Sequence, residues 1–131
     1  MNEYAKAYAE TETYSGVAYA DPHTLITLML DGALKRIAQA KGAMGRNDIA
    51  AKGENISSAV AIIGNLEGCL EMEKGGELAR NLAGLYDYMN LTLTQANVEN
   101  DPARLDEVIK LILEIKSAWV QIAPGETQKA G

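Results

Sequence analysis

The side chains that could carry catalysis or bind a metal are few in this sequence. There is one histidine, His23, and one cysteine, Cys69, and the glutamates Glu71, Glu73 and Glu77 lie close together beside a pair of glycines. A di-iron carboxylate centre in a helical bundle needs two Glu-x-x-His pairs, and a zinc site needs several histidine or cysteine ligands. One histidine and one cysteine far apart in the chain supply neither set. We therefore expect no metal and no cofactor, and we interpret the three glutamates as solvated charges.

His23 is the one candidate for phosphotransfer, a known activity of four-helix bundles. A phosphoacceptor histidine is expected to be exposed in the middle of a helix, with a lysine or arginine nearby to neutralise the phosphate. His23 instead follows Asp21 and Pro22 at a predicted helix start and precedes Thr24 and Leu25. A histidine phosphotransfer module is therefore the alternative function, and the disfavoured one. The serine, threonine and tyrosine hydroxyl groups have no histidine that is expected to act as their general base. No G-x-x-x-x-G-K sequence is present to hold a nucleotide. We therefore predict that the protein is not an enzyme.

The composition indicates a single acidic, helical domain. The chain has 131 residues and a formal net charge of -6, which opposes contact with phosphate backbones and anionic lipids. Nucleic acid and membrane surfaces are therefore not expected as partners. No apolar run is long enough to span a membrane and no secretory leader is present, so we expect a cytosolic protein without membrane insertion. Cys69 cannot form an internal disulfide, and its neighbours Leu66 and Leu70 predict a buried structural thiol.

Three aspartates predict where helices begin. Asp21 and Asp101 each precede a proline, which combines a side-chain cap with a residue suited to the first helical position. Asp48 follows a break at Gly45 to Asn47 and is predicted to cap a helix that runs to about Met72. The predicted core stripe of the first helix is Ile26, Leu30, Ala33, Ile37, Ala40 and Met44. That of the last helix, which ends before Pro124, is Leu105, Val108, Ile112, Ile115, Trp119 and Ile122.

The second predicted helix carries two apolar stripes side by side. One consists of Ile56, Val60, Ile63 and Leu70, and the other of Ala59, Ile62, Leu66 and Cys69. A surface helix of a small bundle needs only one such stripe. Two interpretations follow: the helix lies centrally and contacts two neighbours, or one of its faces lines an exposed groove.

The stretch EKGGELARNLAGLYDYM, from Glu73 to Met89, predicts a turn followed by a helix with two different faces. Gly75 and Gly76 permit the backbone of a tight turn, and Glu77 suits the positive end of the next helix. The steps of four, three and four predict a core stripe of Leu78, Leu82, Leu85 and Met89. A second stripe at the same spacing, Glu77, Asn81, Gly84 and Tyr88, is polar, small and aromatic, and it suits recognition better than burial.

These patterns predict an all-α fold, an antiparallel four-helix bundle over residues 21–123. Residues 1–20 are expected to form a short additional N-terminal helix or strap, and residues 124–131 a polar tail. Four tyrosines lie in the first segment, at Tyr4, Tyr8, Tyr14 and Tyr19. Because aromatic rings favour burial, we expect part of this segment to dock on the bundle. The residue patterns by themselves thus indicate a protein that acts by binding a partner.

Several spaced motifs resemble one family of known proteins. The run KGGE followed by NL and LYDYM, within residues 74–89, resembles the signature of the flagellin export chaperone family (FliS). Further landmarks occur in the order found in that family. They are AYA at Ala7 to Ala9, DPH at Asp21 to His23, DGA at Asp31 to Ala33, QAN at Gln95 to Asn97, and AW at Ala118 to Trp119. The resemblance extends over nearly the whole chain.

The resemblance implies a partner and a set of contact residues. Members of this family bind the disordered C-terminal segment of flagellin in the cytosol, prevent its premature polymerisation, and deliver it to a component of the flagellar export gate. A helix-in-groove mode is the physical expectation. Carried over to this sequence, the partner-binding residues would be Tyr8, Asn55, Ile56, Ala59, Ile62, Asn81, Leu85 and Tyr88.

The sequence departs from the family pattern in two places. Leu30 precedes DGA where an aromatic residue is common, and Leu91 and Thr92 precede QAN where basic residues are common. The first change is expected to be absorbed by repacking. The second argues against a salt bridge from this part of the third helix to the client.

Overall fold

The computed structural model describes residues 21–70 and 72–122, and the predicted N-terminal strap and polar tail lie outside these residues. Within the described ranges the chain forms helices α1 (Pro22–Gly45), α2 (Ile49–Gly68), α3 (Met72–Glu99) and α4 (Pro102–Trp119). Each helix packs against its neighbours in sequence, and α4 closes the ring against α1. The predicted all-α bundle is confirmed. None of these helices is long and apolar enough to cross a membrane.

The predicted aspartate caps are present at three helix starts. Each carboxylate accepts a hydrogen bond from a backbone amide of the first turn, which would otherwise lack a partner. The pairs are Asp21 with Thr24 at 2.8 Å, Asp48 with Ala51 at 3.1 Å, and Asp101 with Ala103 at 3.0 Å.

Two turns of the same design lie at one end of the bundle. Asn47 and Asn100 adopt a left-handed conformation, with φ of 58° and 54°, and each directly precedes a capping aspartate. Asparagine tolerates this conformation better than other residues with a side chain. Lys52 of α2 links this end together, because its buried amine donates to the Asn97 carbonyl and to Asn100 Oδ1, both at 3.1 Å. A cation at the C-terminal end of α3 also suits the helix dipole.

The connection between α2 and α3 differs from the predicted one. Helix α2 ends at Gly68, with Cys69 as its C-cap, and does not reach Met72. The α3 helix has already begun at Met72 and is interrupted at Gly76, where φ is 55° and ψ is -129°. The glycine pair therefore breaks a helix near its start and does not end the preceding one. Gly75 is restricted too, since a Cβ there would lie 2.5 Å from the Cβ of Ala79.

The core stripes of α1 and α4 largely match the prediction. In α1 every predicted core residue is buried except Ile26, which is half-buried. In α4, Leu105, Val108 and Ile112 are buried, while the remaining residues near the C-terminal end are half-buried. Members of both α2 stripes are buried, namely Ile56, Ile63, Ala59, Ile62 and Leu66. Because α2 contacts both α1 and α3, the structure favours the central position over an exposed groove.

The predicted core stripe of α3 is wrong, because the buried side of this helix is rotated from the predicted side. Leu78 and Leu85 are 57% and 37% exposed, whereas Met89 is buried and Leu82 half-buried. The side chains that do fill the core are Ala79, Tyr86, Met89, Thr92, Leu93 and Ala96. On a 3.6-residue period this direction is roughly 30° from the predicted one. The large ring of Tyr86 takes the inward position, and the leucines are turned toward the surface.

Candidate functional site

An exposed strip runs along the outside of α3. Its first part is the predicted recognition stripe, and the same steps of three and four continue it to the end of the helix. We define the outer α3 strip as Glu77, Asn81, Gly84, Tyr88, Leu91, Gln95 and Val98. All are exposed except the half-buried Gln95. Its apolar members protrude, with Tyr88 45%, Leu91 57% and Val98 81% exposed.

Helix α4 supports one edge of this strip. The Tyr88 hydroxyl donates a short hydrogen bond to Glu107 Oε2, and this bond is the main reason that the pKa of Tyr88 is raised. Three residues before Glu107, Arg104 donates through Nη1 to Gln95 Oε1 at 3.0 Å and through Nε to Glu99 Oε1 at 3.1 Å. The pairs run in opposite directions along the two helices, so α3 and α4 are antiparallel. The edge toward α4 is thus held by polar contacts, and the strip's apolar side chains remain exposed.

The other edge carries two neighbouring carboxyl groups. Glu67 near the end of α2 lies within hydrogen-bonding reach of Asp87 on α3. The pKa of Glu67 is raised, first by burial and then by the hydrogen bond and charge of Asp87. Asp87 precedes Tyr88 and lies one helical turn before Leu91, so the acidic pair borders the outer α3 strip.

The predicted partner-binding residues other than Asn55 divide into three groups in the structure. Asn81, Leu85 and Tyr88 are exposed on α3. Ile56, Ala59 and Ile62 on α2 are only 3%, 0% and 9% exposed, and their side chains pack in the core. Tyr8 lies outside the described residues.

Asn55 lies at a different helix border from Tyr88. It is half-buried, accepts a 3.4 Å hydrogen bond from Arg36 Nη1 of α1, and donates to the Ala51 carbonyl at 2.9 Å. Tyr88 faces α4 through Glu107. The structure therefore does not bring Asn55 and Tyr88 together.

Sequence reasoning missed Leu91 and Val98 as surface features. Both follow Gly84 at steps of seven residues, so continuing the recognition stripe beyond Tyr88 would have found them. Glu67 and Asp87 had no such signal, because only the packing of α2 against α3 brings them together.

His23 forms part of a joint between the start of α1 and the end of α4. Its Nε2 lies 2.9 Å from the Trp119 carbonyl oxygen, and Trp119 Nε1 donates to the His23 carbonyl at 3.1 Å. The two rings stack with centroids 4.9 Å apart and planes 11° apart. The DPH and AW motifs thus meet in space. An imidazole held in this way, half-buried at a helix end, is poorly suited to accept a phosphoryl group.

Comparison with known proteins gives a consistent family. The profile of the family described as "Flagellar protein FliS" matches residues 4–126. The chain is 46% identical over 124 residues to the "Flagellar secretion chaperone FliS" of Vibrio cholerae, covering 95% of this chain and 91% of that protein. It is 49% identical over 114 residues to the "Flagellar secretion chaperone FliSB" of Pseudomonas aeruginosa, covering 87% and 90%.

A third relative extends the agreement. The "Flagellar secretion chaperone FliS" of Salmonella typhimurium is 46% identical over 120 residues, covering 91% of this chain and 89% of that protein. The profile match spans most of the chain, and the described residues form the helical bundle predicted from the caps and apolar stripes of the sequence. The chain therefore belongs to the FliS family of flagellar secretion chaperones.

Proposed function

We propose that this protein is a cytosolic flagellar export chaperone that binds the disordered C-terminal segment of flagellin, prevents its premature polymerisation, and delivers it to the export gate. The observation that carries the proposal is the outer α3 strip, which exposes Tyr88, Leu91 and Val98 along one helix of a chain in this family. Large apolar side chains exposed in a row mark an interaction surface.

The physical mode is helix-in-groove binding. A client segment that is disordered when free loses conformational entropy on binding, so it needs a broad interface to compensate. The α3 residues Asn81, Leu85 and Tyr88 are accessible to such a segment without any movement of the bundle. Asn55 lies at the border of α1 and α2, so we propose that it contacts a client only where the bound segment continues past α3 to that border. Ile56, Ala59 and Ile62 would reach a client only if α2 shifts against its neighbours, because they are buried.

Co-purification with flagellin tests the proposed function. The chain should bind full-length flagellin from a bacterial cytosol, and a flagellin that lacks its C-terminal segment should not bind. Equal recovery of both forms would show that another part of flagellin, or none, is recognised. Transfer of phosphate to wild-type protein but not to a His23→Gln variant would instead support the alternative signalling function.

A further inference from the structure

The second half of α1 concentrates positive charge on an otherwise acidic molecule. Of the 12 lysines and arginines in the chain, Lys35, Arg36, Lys41 and Arg46 lie in this one stretch, and residues 32–47 contain no aspartate or glutamate. The chain as a whole carries a formal net charge of -6. Its charge is therefore segregated, with a basic region on one helix.

Only one of these four cations takes part in an ion pair that joins helices. Lys41 Nζ lies 2.7 Å from Asp106 Oδ1 of α4. Lys35, Arg36 and Arg46 form no salt bridge within residues 21–70 and 72–122. Their charges are not compensated by the described part of the chain, and no ion pair there requires them for the packing of the helices.

The three uncompensated cations lie around a shallow cleft between α1 and α2. The cleft has a volume of about 530 Å³ and is lined by Lys35, Ala38, Gln39, Gly42, Arg46 and Asn55. Arg36 Nη1 donates to Asn55 Oδ1 at 3.4 Å, which holds this guanidinium at the border of the two helices with its other N–H groups available. A Cβ on Gly42 would lie 3.2 Å from Arg46 Nη1, so the missing side chain leaves room for Arg46 to lie back along α1.

We propose that this cleft binds a short acidic segment of a second protein, whose carboxylates pair with Lys35, Arg36 and Arg46. From Lys35 to Arg46 the region extends about 16 Å along α1, at 1.5 Å per residue. This length corresponds to roughly five residues of extended chain. A segment with three acidic residues in such a stretch places one carboxylate on each cation, and an arginine can bind a carboxylate through two parallel hydrogen bonds.

The cleft is separate from the outer α3 strip. Helix α1 packs against α2 and α4 and lies across the closed ring from α3. A partner in the cleft therefore leaves Tyr88, Leu91 and Val98 accessible, and both surfaces can be occupied at once. The inference goes beyond the proposed function, because it does not depend on which client the α3 surface binds.

Other anionic partners fit the cleft less well. Nucleic acids and anionic membranes carry extended arrays of phosphates, which the rest of this acidic surface repels, whereas a short peptide segment needs only local complementarity. The chain's own residues 1–20 contain three glutamates, but only Glu10 and Glu12 lie within five residues of each other. That segment would leave one of the three cations without a carboxylate.

The first experiment compares two double variants with the same change in net charge. The probe is a dye-labelled peptide of about twelve residues in which glutamate alternates with serine, and fluorescence anisotropy at low salt measures its affinity. We expect Lys35→Gln/Arg46→Gln to weaken binding at least about fivefold. Arg80→Gln/Lys110→Gln, which changes two exposed cations on α3 and α4, should leave binding within about twofold of wild type. Thermal unfolding checks that both variants are folded.

Two results of this comparison would overturn the inference. One is a wild-type protein that does not bind the peptide at low salt. The other is an equal loss in both double variants, which would show a response to net charge and not to the cleft.

The second experiment tests whether the site is separate and which class of partner it takes. A saturating C-terminal flagellin segment should leave the affinity for the peptide within about twofold, and competition would show that the cleft belongs to the client interface. An oligodeoxythymidylate, and vesicles of phosphatidylglycerol and phosphatidylethanolamine in equal parts, should bind more weakly than the peptide. Tighter binding of either, lost in Lys35→Gln/Arg46→Gln, would make the inference wrong.

Two measurements identify an occupant from the chain itself. Deletion of residues 1–20 should leave the affinity for the peptide within about twofold, and a rise of more than about fivefold would show that this segment fills the cleft. Sedimentation measures the oligomeric state of the free chain. A wild-type dimer that Lys35→Gln/Arg46→Gln made monomeric would identify a second copy as the occupant and contradict the proposal.

Discussion

At the scale of single residues, burial separates side chains that serve the fold from those available to a partner. Ile62 was a candidate for client contact, yet it is 9% exposed and belongs to the core cluster, whereas Leu85 is 37% exposed. Their spacing in the sequence does not distinguish these roles.

Ile62→Asp should therefore destabilise the bundle. A carboxylate in the core has no partner to compensate its desolvation, and we expect a loss of more than about 3 kcal/mol in the free energy of unfolding. Leu85→Asp, as the matched variant, should lose less than about 1 kcal/mol and mainly weaken flagellin binding. Urea denaturation and titration calorimetry measure the two effects. A fully stable Ile62→Asp protein would show that this side chain faces a groove.

Ionisation of Tyr86 should lower the stability of the folded protein at alkaline pH. Burial raises the pKa of its phenol to about 12, with a smaller contribution from Cys69. The phenol binds its proton more tightly in the folded state than in the unfolded chain, where the pKa is about 10. Its stabilising contribution is complete below pH 10 and is lost as the pH rises from 10 toward 12, by an amount of order 2 kcal/mol.

The Tyr86→Phe variant is the control for this titration. Its stability should fall less steeply than that of wild type between pH 10 and 12, as followed by urea denaturation at each pH. The late-titrating phenol should also disappear from the ultraviolet absorbance titration. Identical curves for the two proteins would contradict the assigned burial.

At the scale of secondary-structure elements, the joints between helices combine a few specific contacts. His23 and Trp119 join the start of α1 to the end of α4 by two hydrogen bonds and a stacked ring pair. His23→Ala removes the side-chain hydrogen bond and the stacking, and it should cost about 1 to 2 kcal/mol.

The fluorescence of Trp119, the single tryptophan of the chain, reports on this joint directly. Its emission should shift to longer wavelength in His23→Ala as the indole becomes more exposed. His23→Phe keeps a stacked ring without the hydrogen bond, so it should recover about half of the lost stability. Unchanged emission in the alanine variant would show that the joint does not depend on the imidazole.

The glycine turn at the start of α3 should be sensitive to added side chains. Gly76→Ala places a Cβ on a backbone with φ of 55° and ψ of -129°, and it should cost about 1 to 3 kcal/mol. Gly64 on α2 has helical backbone and nothing within 4 Å of a Cβ, so Gly64→Ala should stabilise the protein by about 0.5 to 1 kcal/mol. Thermal unfolding of both variants checks the opposite signs. Two variants of equal stability would rule out a strained turn at Gly76.

At the scale of the whole molecule, the bundle is a closed ring of four helices with contacts across each seam. Lys41–Asp106 and Asp31–Lys116 join α1 to α4, and Lys52 joins α2 to the end of α3. Exposed ion pairs contribute little each, so the buried apolar side chains supply most of the stability. The outer α3 strip lies on the outside of this ring, where a partner can reach it.

The N-terminal strap remains a prediction at this scale. We expect Tyr8 and its neighbours to cover apolar surface in the free protein and to move aside or dock again when the client binds, which reduces self-association at some cost in affinity. Deletion of residues 1–20 should therefore increase aggregation of the free protein, and Tyr8→Ala should do so more mildly. Light scattering and hydrogen exchange near Tyr8 measure these effects. A truncated protein that stays monomeric, with amides near Tyr8 exchanging at random-coil rates, would identify an ordinary chain end.

Features that depend on local residues could be predicted from the sequence. The aspartate caps, the break at Gly45 to Asn47 and the core stripes of α1 and α4 are present as expected, because a cap or a one-sided apolar period needs few residues in the helix and its flanks. The motifs also identified the family, since they are spread along nearly the whole chain. The fold and the kind of function were thus determined by the sequence alone.

Features that depend on packing were decided only by the tertiary structure. In α3 the predicted core stripe and the observed set of core residues both follow helical periodicity. Which of them is buried depends on whether α2 and α4 accommodate Tyr86 or the leucines. The two stripes of α2 are equally compatible with an exposed groove and with a central helix. Only the contacts of α2 with both α1 and α3 decide between these interpretations. The Glu67 and Asp87 pair has no sequence signal at all, because residues distant in the chain meet only when the helices pack. Periodicity tells which residues share a face of a helix, and the neighbouring helices decide which face is buried.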